Sequence, residues 1–367
     1  MNSLSAFVAM LAFVVTAPTA AKAQESEFDL VVRQAAEEYL TAEDGVGLSI
    51  GVVRGGRFYC YAFGKAAKDG GATTRDTAFE IGSISKTMSG LLLARAVVAG
   101  KARLDDDVRT YLQGSYPKLA FEGEPVRLVH LANMTSALPN DLPDLSALDP
   151  DPGRFKHARA LAAYDKERFL ADLRNVAPTG KPGADVAHSN LAAQLLTYAL
   201  ERIYGVPYDT LLRREIDASI VSTATQHATG YGADGEPTAA LPREHFGYRY
   251  SLPSMLRYAA HQLDERNPAV ALSHKGTWYT LDKKTWVGLT WIVSELPDGG
   301  RVLRYTGGTW GFASAMMLWP ERKLGIVLLA NKASDTAQER LSKIAQGIAA
   351  IPLAKWSEQK TAFERCE

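Results

Sequence analysis

The chain has 367 residues, 41 basic and 41 acidic side chains, and a hydrophobic fraction of 46%. This balance fits a globular protein of roughly one to three domains and offers no basic stripe for nucleic acid. Beyond the N-terminus, no apolar stretch reaches the about 18 residues that a membrane-crossing helix needs.

Taken in chain order, Ala6 to Ala17 is an unbroken apolar or small run, followed by Ala21-Lys22-Ala23 and the acidic Gln24-Glu25-Ser26-Glu27. This reads as a secretory signal covering residues 1–23, removed after Ala23, so that the mature protein is periplasmic or secreted and keeps no membrane span. Met1–Ser5 lacks the positive residues such a signal carries, which either a start assigned too far downstream or an uncleaved anchor would explain. No cysteine sits at the cut site for a lipid anchor. A helical stripe covers Phe28 to Leu40. Two strand-like runs, Val46–Arg54 and Arg57–Ala66, flank the hairpin signal Gly55-Gly56. Thr77–Gly82 is strand-like and leads into an apolar helix closed by Gly100.

The middle of the chain differs. Helical patterns fall at Ala158–Leu173, Ser189–Tyr204 (stopped by Gly205), Tyr208–Ile216 and Leu252–Leu263, separated by loops such as Pro139–Pro152. Strand-like runs return at Trp286–Leu296, Arg301–Tyr305, Gly311–Trp319 and Leu324–Asn331, followed by a helix from Thr336 to Ala349. Strands at both ends with helices between them predict one discontinuous sheet domain (24–100 and 276–367) and a helical domain (101–275). Cys60 and Cys366 are the only two cysteines. An exported chain can join them, but the simpler expectation is that Cys60 packs within a strand and Cys366 stays in the tail.

Chemistry concentrates in three short segments. The first is Phe79-Glu80-Ile81-Gly82-Ser83-Ile84-Ser85-Lys86, a Ser-x-x-Lys opening a helix. Ser115/Lys118 and Ser357/Lys360 share the spacing, but Pro117 works against a helix at the first and the second lies in the polar tail. Residues three apart on a helix share a face, so Lys86 sits beside Ser83, at a helix N-terminus that favours negative charge. The other two segments are His188-Ser189-Asn190 and Tyr305-Thr306-Gly307-Gly308.

Together these segments resemble the active site of class C β-lactamases, low-molecular-weight penicillin-binding proteins (D-alanyl-D-alanine carboxypeptidases) and family VIII esterases. Further segments match in order. Gly100–Val108 resembles the exit from the nucleophile helix, and Thr135-Ser136-Ala137-Leu138-Pro139 resembles a Thr-Ser-Gly-Leu-Pro segment. Pro182-Gly183 precedes the second motif, and Gly311-Phe312 with Pro320-Glu321 follow the third. The resemblance spans roughly residues 28 to 350 and implies an α+β fold of the β-lactamase/transpeptidase type: an antiparallel sheet flanked by helices, plus an all-helical domain. It also implies a serine hydrolase without metal or organic cofactor. Such an enzyme would cleave a small amide or ester of the cell-wall D-alanyl or β-lactam kind through an acyl-Ser83 intermediate.

Two positions depart from the family pattern. His188 stands where Tyr-x-Asn has tyrosine, and Tyr305 where relatives carry Lys or His. By resemblance, Ser83, Lys86, His188 and Asn190 are catalytic, and Tyr305, Thr306, Gly307 and Gly308 bind substrate. The oxyanion donors are then the N–H groups of Ser83 and Gly308. Neutral imidazole, with an ordinary pKa near 6.5, gives His188 the capacity to take a proton, which predicts kcat/KM rising through about pH 6–7. Arg304 is expected to face away from the site. His130, His157, His227, His245, His261 and His274 show no metal-ligand spacing. A carboxylesterase for neutral esters and a catalytically inactive ligand-binding relative are the alternatives.

Overall fold

Apolar runs from both ends of the chain meet in one sheet. The computed structural model describes residues 26–144, 155–220, 224–352 and 366. The expected signal segment, part of the Pro139–Pro152 loop and most of the C-terminal tail lie outside these. The main strands are β1 (Gly47–Arg54), β2 (Arg57–Gly64), β4 (Trp278–Tyr279), β5 (Thr285–Val287), β6 (Ile292–Glu295), β7 (Arg301–Gly308), β8 (Ala313–Trp319) and β9 (Leu324–Ala330). Their order is β2-β1-β9-β8-β7-β6-β5-β4, antiparallel throughout. The N-terminal hairpin therefore docks onto β9, the last strand among the described residues, Ile50 opposite Leu328. A separate short strand, β3 (Thr77–Glu80), pairs with Gln226–His227 and Arg249–Ser251.

Successive side chains of a strand point to opposite faces, and both faces of this sheet are covered. Leu48, Ile50 and Val52 of β1 and Ile326 and Leu328 of β9 pack with Phe28, Val32 and Ala36 of α1 (Glu27–Ala42). The same layer takes Leu341, Ala345 and Ile348 of α5 (Ala337–Ala349). Val53, Val327 and Leu329 face the other way, into the core that holds α2 (Ser85–Val98) and α4 (Leu252–Gln262). Burial on both faces explains why β8 and β9 read as continuous apolar runs instead of alternating ones. α4 comes from the stretch expected to be the helical unit, yet it lies on the sheet: a side chain at Gly51 would meet Leu252 and Leu256 within 3.0 Å.

Most predicted elements appear within a residue or two. α3 (Asn190–Tyr204) begins after Ser189, whose Oγ accepts from the Ala192 N–H at 3.0 Å, and stops at Gly205, at φ +70°. Two runs are divided. Ala158–Leu173 becomes Phe155–Ala162 and Lys166–Leu173, because Asp165 caps a new helix by accepting from the Arg168 N–H at 2.9 Å. Trp286–Leu296 folds back on itself as β5 and β6, with the Gly288 N–H donating to the Trp291 carbonyl at 2.9 Å. There Thr290, at φ +83°, reaches the Lys86 carbonyl.

The cysteine expectation is corrected. Cys60 of β2 is bonded to Cys366, with Cα atoms 5.7 Å apart, and both are buried. Strand pairing puts β2 at the sheet edge, where the returning C-terminus meets it, a proximity invisible in sequence. Cys60→Ser should lower unfolding stability by about 2–4 kcal/mol, read as a fall in the urea midpoint under oxidising conditions. Coincident midpoints for parent and variant would show that the bridge stabilises nothing.

Candidate active site

The nucleophile segment is built around glycine. β3 runs into a 3-10 turn, Gly82–Ile84, and α2 starts only at Ser85, so Ser83 sits in the turn just ahead of the helix. Gly82 adopts φ +51°, and a Cβ there would lie 2.7–2.8 Å from the carbonyl oxygen and nitrogen of Gly308. A Cβ at Gly307 would lie 2.0 Å from the Ile81 carbonyl oxygen. The missing side chains thus let the turn rest directly on the β7 backbone. The Ser314 hydroxyl, from β8, donates to the Ile81 carbonyl at 2.8 Å, and the Ser85 hydroxyl to the Gly82 carbonyl at 2.6 Å. β6 pairs with residues 301–304 of β7 only, so the outer edge of Tyr305–Gly308 faces the site without a neighbouring strand.

Lys86 and the second motif come together as expected, and more tightly than spacing alone reveals. Lys86 is buried, and its Nζ lies 2.5 Å from Asn190 Oδ1 and 3.0 Å from His188 Nε2. Asn190 Nδ2 donates to Asp141 Oδ1 at 2.8 Å. Asn140 Nδ2 donates to Asp141 Oδ2 at 2.5 Å, and Asn140 Oδ1 faces His188 Nδ1 at 2.8 Å. The Phe246 ring lies 4.9 Å from the amine. Burial lowers the Lys86 pKa to about 7, against a smaller upward pull from the Asp141 carboxylate. A neutral primary amine has two hydrogens. Asn190 Oδ1 is placed to accept one and, in the Nδ1–H tautomer, His188 Nε2 the other.

His188 departs from the sequence expectation. Burial, reinforced by Lys86, holds its pKa down at about 4, despite some upward pull from Asp141. Burial thus favours a neutral imidazole at pH 6–7, and Lys86 is the group whose pKa is brought toward that range.

Tyr305 points into the core beside the site. It is 6% exposed, its hydroxyl contacts Met134 Sδ at 3.7 Å, and burial raises its pKa. It shares a small space with Lys86, His188 and Thr290 and reaches neither nitrogen through a hydrogen bond. Thr306 and Gly308 line the main cavity, and Gly308 abuts the Gln338 amide of α5. Arg304 does not face away from the site as expected: it is exposed, its guanidinium contacts Ser294 Oγ at 3.2 Å, and it lines the cavity rim.

The cavity itself, about 990 Å³, opens over Ser83, His188 and Asn190. Its walls include Leu142, Leu161, Leu191, Leu241, Phe246 and Trp310, and among the described residues lining it Arg304 is the one Lys or Arg. Sequence reasoning missed Asn140, Asp141 and Phe246. The first two directly follow the Thr-Ser-Ala-Leu-Pro segment, a signal that was present. Phe246 has none. Among the described residues, no group of three or more His, Cys, Asp or Glu is placed to hold a metal ion.

An α/β/α sandwich with a Ser-x-x-Lys turn seated on a glycine strand, and a buried lysine facing Asn190, defines a serine hydrolase of the β-lactamase and penicillin-binding-protein type. The chain belongs to the Beta-lactamase family, whose model matches residues 32–350. It is 25% identical over 359 residues to a β-lactamase of Pseudomonas fluorescens, covering 84% of this chain and 94% of that one. To the D-alanyl-D-alanine-carboxypeptidase/endopeptidase AmpH of Escherichia coli it is 24% identical over 352 residues, covering 87% and 88%. Among solved structures, a class C β-lactamase matches with TM-score 0.74 at 23% identity, over 89% of this chain and 97% of that one. A β-lactamase/D-alanine carboxypeptidase from Pseudomonas syringae matches with TM-score 0.73 at 22% identity, over 89% and 99%.

Proposed function

We propose that this enzyme is exported and cleaves small esters or amides through an acyl-Ser83 intermediate, with Lys86 as base. The observation that carries the reading is the buried Lys86 amine, hydrogen-bonded to Asn190 and His188 three residues from the serine. In the acylation step Ser83 Oγ bonds to the substrate carbonyl carbon while its proton passes to Lys86 Nζ. The bond to the leaving group then breaks, and the leaving group takes the proton from the lysine ammonium. Water attacks the acyl ester, assisted by the same base, and releases the acid with Ser83 restored. The N–H groups of Ser83 and Gly308 would stabilise the oxyanion. Export rests on the Ala6–Ala23 segment, and mature protein should then begin near Gln24.

The names of the relatives point to β-lactams and D-alanyl peptides. One observation ranks neutral esters ahead of both for this cavity. Both β-lactams and D-alanyl peptides present a carboxylate, and the position that supplies a cation in the family pattern holds the buried, uncharged Tyr305. This leaves the rim guanidinium of Arg304 as the one Lys or Arg among the described lining residues to meet it. A charged partner is worth roughly 1 kcal/mol or more beyond a neutral one, whereas a neutral ester loses nothing by its absence. Apolar walls suit an uncharged acyl group.

Turnover of a p-nitrophenyl ester and of a penicillin, each followed by intact mass spectrometry, distinguishes the two. The ester should show the higher kcat/KM, with a transient acyl adduct. A higher kcat/KM for the penicillin would overturn the preference and return the assignment to β-lactam or D-alanyl peptide hydrolysis.

A further inference from the structure

The contacts around Lys86 form a closed circuit. Starting from its Nζ, they run to His188 Nε2, from His188 Nδ1 to Asn140 Oδ1, and from Asn140 Nδ2 to Asp141 Oδ2. They return from Asp141 Oδ1 through Asn190 Nδ2, and from Asn190 Oδ1 to Lys86 Nζ. Each link has one consistent donor. An ionised carboxylate only accepts, so Asp141 draws the NH₂ group of both asparagines toward itself. Both amide oxygens then point the other way, one at Lys86 and one at His188. An oxygen facing His188 Nδ1 requires the proton to be on Nδ1. Nε2 is thereby left as an acceptor for a hydrogen of Lys86.

We propose that Asn140 and Asp141 are positioning residues for the Lys86 base: by orienting the Asn190 amide and fixing His188 in its Nδ1–H form, they keep both amine hydrogens engaged and the lone pair on the Ser83 side. This rests on the acyl-Ser83 reading above. With the opposite tautomer, His188 would donate from Nε2 into the lysine lone pair and block it. The fold does not need Asn140 for packing, since its side chain is exposed. Its main chain is what the fold uses, through the Leu191 N–H bond to the Asn140 carbonyl at 2.9 Å.

Four groups bear on the titration of Lys86. His188 and Asn190 come from the start of α3, Asp141 from the loop, and Phe246 presents an uncharged ring. Tyr305 and Thr290, from β7 and the β5–β6 turn, are neutral neighbours across the same small space. Asp141 is thus the one carboxylate in the circuit, and its removal disfavours the ammonium form.

The test measures kcat/KM for a neutral p-nitrophenyl ester from about pH 5 to 9, in Asp141→Asn, Asp141→Glu, Asn140→Ala and Ser83→Ala, with ¹⁵N NMR of His188. Asp141→Asn should lose roughly 10–100-fold, the equivalent of one charge-assisted hydrogen bond, and its rising limb should move to lower pH. Asp141→Glu should recover most of the rate. Asn140→Ala should lose rate and shift the His188 signals from an Nδ1–H toward an Nε2–H pattern, with an unchanged melting temperature. The proposal is overturned if both Asp141→Asn and Asn140→Ala superimpose on the parent profile while Ser83→Ala is inactive, or if parent His188 carries its proton on Nε2. Activity persisting in Ser83→Ala would instead overturn the acyl-enzyme reading beneath it.

Discussion

Ser83→Ala should reduce ester turnover by on the order of 10⁴–10⁶-fold and abolish the acyl adduct seen by intact mass. The size of this effect follows from the chemistry, since no other group in the turn can form the covalent bond. The fold should not suffer. The hydrogen bonds that hold the turn come from Ser85 to the Gly82 carbonyl and from Ser314 to the Ile81 carbonyl, and neither involves Ser83. Ser115→Ala supplies the control. Ser115 shares the Ser-x-x-Lys spacing but is exposed and is followed by Tyr116-Pro117, so its loss should leave both adduct and rate unchanged. An adduct that survives in Ser83→Ala, or maps to another serine, would remove the nucleophile from this assignment.

The second large effect concerns the base. A lysine can accept a proton only in its neutral form, and burial brings the Lys86 pKa to about 7. Lowered below its ordinary range, the group is ammonium at pH 5–6 and increasingly amine above 7. kcat/KM for a neutral ester should therefore climb with pH through about 7 and then level off. His188, held at about 4, adds no limb in this window. Lys86→Met should cost roughly 10²–10⁴-fold, the usual worth of a positioned general base. Lys86→Arg should fare no better, because a guanidinium keeps the charge and cannot be deprotonated. A profile flat from pH 5 to 9, or a Lys86→Met enzyme with near-parental rate, would assign the proton to another group.

How far these features could be read from sequence depends on how local they are. Ser83 and Lys86 are one helical turn apart, and their relation needs only the backbone geometry of that turn. Ser189 and Gly205 mark the ends of α3 by capping chemistry alone. The glycines of β7 were legible as a motif, but their reason was not. They accommodate Ile81 and Gly82, more than two hundred positions earlier, and only the folded strand order brings those backbones together. The His188 ionisation was read from the ordinary imidazole value, which takes no account of burial and of the contact with Lys86, both tertiary facts. The Cys60–Cys366 bridge depended on the position of β2 at the edge, which follows from β1 pairing with β9. The division of Trp286–Leu296 was foreshadowed by Gly288, yet what anchors that turn is the contact of Thr290 with Lys86.

The docking of β1 onto β9 also sets a timetable. Ile50 leaves the ribosome long before its partner Leu328 exists, and at about 5–20 residues per second the wait is on the order of tens of seconds. During that interval the N-terminal hairpin has no central neighbour, and the Ser83 turn lacks the strand on which it rests. Long-range pairing of this kind slows folding because chain closure must precede the contacts that reward it. A chain in which so late a strand completes the first hairpin gains that part of its sheet only when most of it has been made. Assembly of the nucleophile site waits as well, because its turn rests on β7.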